Sequence, residues 1–87
     1  MLDKAKKEKI IEKFKTHAKD TGSPQVQIAI LSAEIDELAK HLKTHKKDHS
    51  SRRGLLKKVG ERRRLLQYLK KEDEKAWDKL VEQLKLK

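Results

Sequence analysis

Cysteine is absent from the 87-residue chain, which excludes a disulfide framework and any thiolate metal site. Aromatic residues are almost missing, with one Phe, one Trp and one Tyr, so any core is aliphatic. Pro24 is the single proline, and Gly22, Gly54 and Gly60 are the only glycines. The chain therefore has few places where a helix must stop. The longest unbroken apolar run, Ile28-Ala29-Ile30-Leu31, falls far short of the roughly 20 residues of a membrane span. Met1-Leu2-Asp3-Lys4 opens no apolar stretch of the secretory kind. The expectation is one small cytoplasmic domain over residues 1–87, with no membrane partner.

Acidic residues are also in deficit. Twenty-four Lys and Arg face 14 Asp and Glu, a net charge of +10 with His neutral. A small domain stays soluble with a net charge of roughly 2–8, so the excess asks for a partner. A field of this sign attracts polyanions and repels copies of the same chain, which predicts a monomer when free. Nucleic acid is the leading reading. An anionic membrane surface and an acidic protein are the alternatives that charge leaves open.

Lys, Leu, Glu, Arg and Ala dominate, all good helix formers, and no segment alternates with the period of a strand, so the fold class is all-α. The spacing predicts four helices. The first runs from a cap at Asp3 to about His17, with Ile10, Ile11 and Phe14 as a thin apolar face and Ala18 beyond. So few anchors make it the most mobile element of the free protein. After the loop Lys19-Asp20-Thr21-Gly22, Ser23 fits an N-cap and Pro24 the first helical position. The second helix continues to about Thr44 with Ile28, Leu31, Ile35, Leu38 and Leu42 as a seam. Asp48 caps a third helix reaching about Glu72, with Leu55, Leu56, Val59, Leu66 and Leu69 as its apolar residues. At 1.5 Å per residue it is about 35 Å long. A short connection makes helices two and three an antiparallel hairpin. Asp73 then caps a last helix whose stripe, Ala76, Trp77, Leu80, Val81 and Leu84, packs back on the hairpin.

Enzyme signals are weak: there is no Gly-rich phosphate loop, no Cys nucleophile and no Ser in a nucleophile turn. His41, His45 and His49 recur every four residues, a spacing that suits zinc on an unbroken helix. A helix break is expected at Lys46-Lys47-Asp48, and the positive field disfavours a cation, so no metal and no cofactor are expected. The histidines read as polar loop residues or as hydrogen-bonding partners of nucleic acid. The stronger signal is on helix three. Arg53, Lys57, Arg64 and Lys71 fall within about 40° of one another, flanked by Gly60 and Tyr68, with the leucines roughly opposite. Such a row is commonly just a solvated face. Here Glu61 is the lone acid between Arg52 and Arg64, and a small residue beside a ring suits close backbone approach and sugar or base packing. Thr21-Gly22-Ser23-Pro24 with Gln27 is a second candidate surface, of hydroxyls, amide and helix N-terminus. A plain capped turn would explain Ser23 and Pro24 equally well.

Three segments, Thr21-Gly22-Ser23-Pro24-Gln25-Val26-Gln27-Ile28, the stretch from His41-Leu42-Lys43-Thr44-His45 through Lys46-Lys47-Asp48-His49-Ser50-Ser51 to Arg52-Arg53-Gly54-Leu55-Leu56, and Val59-Gly60-Glu61-Arg62-Arg63-Arg64-Leu65-Leu66-Gln67-Tyr68-Leu69, resemble the bacterial small-subunit ribosomal protein fifteen family. The resemblance covers nearly the whole chain. It implies a four-helix, non-enzymatic protein that binds small-subunit ribosomal RNA early in assembly of the central domain. The family grips a three-way junction and a minor-groove element in which a G–U wobble lies beside a G–C pair. Carried over by position, the junction residues are Thr21, Gly22, Gln27, Arg64, Tyr68 and Lys71, and the groove residues His41, Asp48 and Ser51. Lys46, Lys47, Arg53 and Lys57 are then backbone contacts. The resemblance also implies neighbouring small-subunit proteins as partners, and large-subunit ribosomal RNA near the hairpin tip. Some members repress their own messenger RNA.

The chain departs from the family at a few positions. Many members have paired histidines where it has His49-Ser50, a proline where it has Glu74, arginine where it has Lys71 and tyrosine where it has Trp77. Lys71 keeps the charge and loses the planar fork of an arginine. Two rivals come from other classes. A scaffold docking an acidic protein would share the basic face, and a helix-turn-helix DNA binder would need a short helix pair with a tight Gly turn, which is not found here.

Overall fold

The computed structural model describes residues 2–17 and 22–86. Among the described residues four helices follow one another: α1 Lys4–Phe14, α2 Pro24–Thr44, α3 His49–Glu72 and α4 Glu74–Gln83. Each begins on a side-chain cap. Asp3 accepts from the Lys6 N–H, Ser23 from Val26, Asp48 from Ser51 and Asp73 from Ala76, which satisfies one otherwise orphaned backbone donor at every helix start.

Helix α1 is shorter than its composition suggests and stops at Phe14 instead of His17. Lys15 turns extended (ψ 147°) while its N–H still donates to the Ile11 carbonyl at 2.8 Å. Phe14 is the last apolar anchor before the poor helix formers Thr16 and His17, so nothing carries the helix further. Ala18, expected beyond it, lies outside the described residues.

Helix α2 is the structural centre. Val26, Ile28, Ala29, Leu31, Ser32, Ile35 and Leu38 are all buried, the largest such set on any helix. It packs along α3 in an antiparallel hairpin, and α1 lies against it on another side. Lys58 on α3 pairs with Glu34 on α2 at 3.4 Å, and Arg62 Nη1 donates to the buried Ser32 hydroxyl at 3.3 Å. These two contacts set the register: each residue further along α3 meets one earlier on α2. Lys6 on α1 pairs with Glu37 at 3.1 Å. At the far end Ile28, Leu69 and Leu80 form the shared core of α2, α3 and α4, with Phe14, Leu65, Leu66 and Trp77 packed around them. The body measures 39 × 27 × 18 Å, its long axis close to the length of α3.

Helix α3 is less buried than its leucines suggest. Only Leu69 is buried, while Leu55, Val59, Leu65 and Leu66 are half-buried. Leu56 is 65% exposed. It points about 100° away from Leu55 and so leaves the side that faces α2. The chain closes after α4 in a Schellman turn. Leu86 N–H donates to the Val81 carbonyl at 2.8 Å, with Lys85 in the left-handed region (φ 56°).

Candidate nucleic-acid interface

The hairpin puts its polar residues at two ends. At the tip, His41 stands one turn before the end of α2, and Asp48 and Ser51 open α3. The Asp48 carboxylate joins them. Oδ1 accepts from the Ser51 N–H at 3.0 Å; Oδ2 accepts from the Ser51 hydroxyl at 2.7 Å and faces His41 Nε2 at 2.9 Å. The two hydrogen bonds from Ser51 and the one from His41 hold the Asp48 carboxyl well below its ordinary range. The His41 ring stacks on His45, centroids 4.2 Å apart and 7° from parallel. The rings lie face to face and do not converge their nitrogens on a point. His45 Nδ1 lies 2.9 Å from the Thr44 hydroxyl, and Arg52 Nη2 donates to the Lys46 carbonyl at 2.8 Å, which holds the turn. Lys46 and Lys47 remain exposed beside it.

This network decides what the tip can offer. An ionised carboxylate has about four acceptor positions, and three are used. With its proton committed to Asp48, the Ser51 oxygen turns lone pairs outward. With Nε2–H donating to Asp48, a neutral His41 leaves Nδ1 as an acceptor. Within this trio the bonded donors turn inward and acceptor positions remain, with the Lys46 and Lys47 ammonium groups exposed beside them. The Asp48–Ser51 cap spans three residues and is legible in sequence, whereas the His41–Asp48 bond joins positions seven residues apart across a turn and is not.

At the opposite end, the Ser23 hydroxyl caps α2 and Gln27 Nε2 donates to the Gly22 carbonyl at 2.6 Å. The Gln27 amide thus closes its own loop and keeps its oxygen for other use. Thr21 lies outside the described residues. The register of the hairpin brings Tyr68 and Lys71 level with this end of α2. Tyr68 is 55% exposed, an unusual position for a ring in a chain with so few. Arg64 lies one turn before it, also exposed.

Arg53, Lys57, Arg64 and Lys71 form an exposed row along α3 between the two ends. The ion pairs of Glu37, Glu12, Glu34 and Asp48 go to Lys6, Lys15, Lys58 and His41, not to this row. Gly60 lies within the row. A Cβ there would make only ordinary contact with Arg64 Nη1, at 3.6 Å, so internal packing does not demand the glycine. Its effect is on the outer surface, where the backbone is bare.

A family model, Ribosomal protein S15, matches residues 6–87. The chain belongs to this family. It is 63% identical over 86 residues to small ribosomal subunit protein uS15 of Heliobacterium modesticaldum, covering 99% of this chain and 97% of the relative. The protein of the same name from Caldanaerobacter subterraneus is 59% identical over 87 residues, 100% of this chain and 99% of its own length. That of Trichlorobacter lovleyi is 61% identical over 84 residues, 97% of this chain and 96% of the relative. A member of this family is a ribosomal protein, a component of a ribonucleoprotein in the cytoplasm and not an enzyme. The fold that the resemblance implied, four helices with a long hairpin and a packed last helix, is the one observed.

Proposed function

We propose that this chain is a structural constituent of the small ribosomal subunit that binds its RNA at two places joined by one helix. The observation that carries this reading is the layout of α3. A polar tip and a ring-bearing end stand at opposite ends of a helix about 35 Å long, joined by an exposed row of cations. A row of cations alone holds any polyanion. Two unlike ends at a fixed distance select an RNA with two features at that spacing.

At the tip the partner is the minor groove of an RNA helix, which is wide, shallow and open to side chains. The guanine amino group is its base donor, and 2′-hydroxyls line it. The leftover acceptors of His41, Asp48 and Ser51 match those donors, which suits the G–U/G–C element. At the other end Gly22 and Gln27 present backbone and amide groups, Tyr68 a ring, and Arg64 and Lys71 charge, which suits the crowded phosphates of a three-way junction. Thr21 belongs to this set by resemblance. Arg53, Lys57, Lys46 and Lys47 hold the backbone. Residues 1–87 act as one RNA-binding unit that engages naked RNA first and so nucleates the central domain. A messenger carrying a similar element would compete for the same surface, the route to self-repression, and the tip is the part that would meet the large subunit.

The test compares wild type and Asp48→Asn on two RNAs, one with the G–U/G–C element and one with Watson–Crick pairs in its place. Asn keeps a capping oxygen, removes the anion and adds donors that a guanine amino group cannot use. Affinity should fall roughly ten- to a hundredfold on the first RNA, the scale of a good specific contact, and little on the second. Equal effects on both RNAs would make Asp48 a cap and nothing more.

A further inference from the structure

Helices α3 and α4 leave a groove of about 400 Å³ between them that the RNA reading does not use. Its floor is Val59, Leu66, Trp77 and Val81, and Arg63, Gln67 and Lys70 stand along its edge. It extends over three turns of α3, from Val59 to Lys70, about 16 Å. Leu56, exposed three residues before Val59 and two turns before Arg63, lies on the same face of α3 by helical spacing. Arg63 and Lys70 are each rotated about 100° from their neighbours Arg64 and Lys71, so this face and the basic row are different surfaces of one helix.

We propose that this groove docks an acidic amphipathic helix of a protein partner. The apolar floor asks for apolar anchors at helical spacing, and the groove is as long as three helical turns. Two cations seven residues apart, on one side of α3, complement carboxylates flanking those anchors. RNA suits the groove less well. Phosphates gain nothing from an aliphatic floor, and stacking needs an open ring face, whereas the Lys70 ammonium already sits 4.6 Å from the Trp77 ring centre. A second copy of the chain is disfavoured by the repulsion between two bodies of charge +10. This inference goes beyond the RNA-binding reading and does not depend on it.

Trp77 is the only tryptophan in the chain, so its emission reports on the groove. The probe is a synthetic 18-residue peptide with Leu at i, i+3 and i+7 and Glu around them, set against a scrambled peptide of the same composition. Added to the full chain, the helical peptide should shift Trp77 emission to the blue, saturably. In nitrogen-15 spectra it should move the amides of Val59, Arg63, Leu66 and Lys70 and those of residues 77–86 more than the amides of Arg53, Lys57, Arg64 and Lys71. The scrambled peptide should bind at least about tenfold more weakly, and the double variant Arg63→Glu, Lys70→Glu should lose about tenfold in affinity. Leu56→Ser, at an exposed position that leaves folding intact, should weaken binding severalfold. The proposal is overturned if both peptides bind alike, or if the shifted amides lie on the Arg53–Lys71 row. It is equally overturned if a short RNA duplex shifts Trp77 and loses affinity with the double variant while the peptide does not.

Discussion

Replacing Ile28 by alanine tests the packing on which the two-ended arrangement rests. Ile28 is fully buried and meets Leu69 and Leu80, so it joins α2, α3 and α4 at a single point. The change removes three carbons, and at about 0.8 kcal/mol per buried methylene the transfer loss is about 2.4 kcal/mol. Neighbours on three helices cannot all move inward, so a partly relaxed cavity adds about 1–2 kcal/mol, at ~24 cal/mol per Å³. The expected loss is therefore about 3–4 kcal/mol. A domain of this size has roughly 4–13 kcal/mol to lose. Urea denaturation followed by circular dichroism should show a lower midpoint at an unchanged slope. The melting temperature should fall by roughly 15–25 °C. Below its melting point the variant should bind RNA with the wild-type salt dependence, since no cation has moved. A loss under about 1 kcal/mol would refute the three-helix junction at Ile28.

Other expectations follow from single features. Arg64→Ala should lower the slope of log K against log salt by about 0.7–0.9, the share of one phosphate contact; an unchanged slope and affinity would remove Arg64 from the interface. The folded Asp48 carboxyl is held well below its ordinary 3.8, so the stability it adds is complete above that value and is lost progressively as pH falls from there through the lower folded pKa. The melting-temperature gap between wild type and Asp48→Asn should hold steady from about pH 7 to pH 5 and shrink below about pH 4. A gap that persists unchanged in acid would contradict the network. Lys85→Gly should stabilise by about 1 kcal/mol, because a residue with a Cβ is strained in the left-handed region; a destabilised variant would argue against the Schellman turn.

What the chain's own order of residues determined is whatever depends on neighbours three or four positions apart. The caps at Ser23, Asp48 and Asp73 were readable because a side chain and the N–H it accepts from lie on one turn. The limits of α2 and α3, the α2 seam and the basic row on α3 follow from a period that sequence displays. The end of α1 is not legible in sequence because Thr16 and His17 weaken a helix without forbidding it; the helix stops where its last anchor, Phe14, packs against the core of the other helices. The tertiary structure alone decided the rest. Leu56 and Leu55 are alike as residues, and only the position of α2 and α4 makes one a surface and the other a packing contact. Asp48 reads as a cap from its position, yet its bond to His41 exists because the turn folds α2 back beside α3. The α3–α4 groove is still less visible, since Val59, Leu66, Trp77 and Val81 become one floor only when two helices meet. Local hydrogen bonding and helical period are written in sequence; the direction a side chain faces in the assembled body is set by long-range packing.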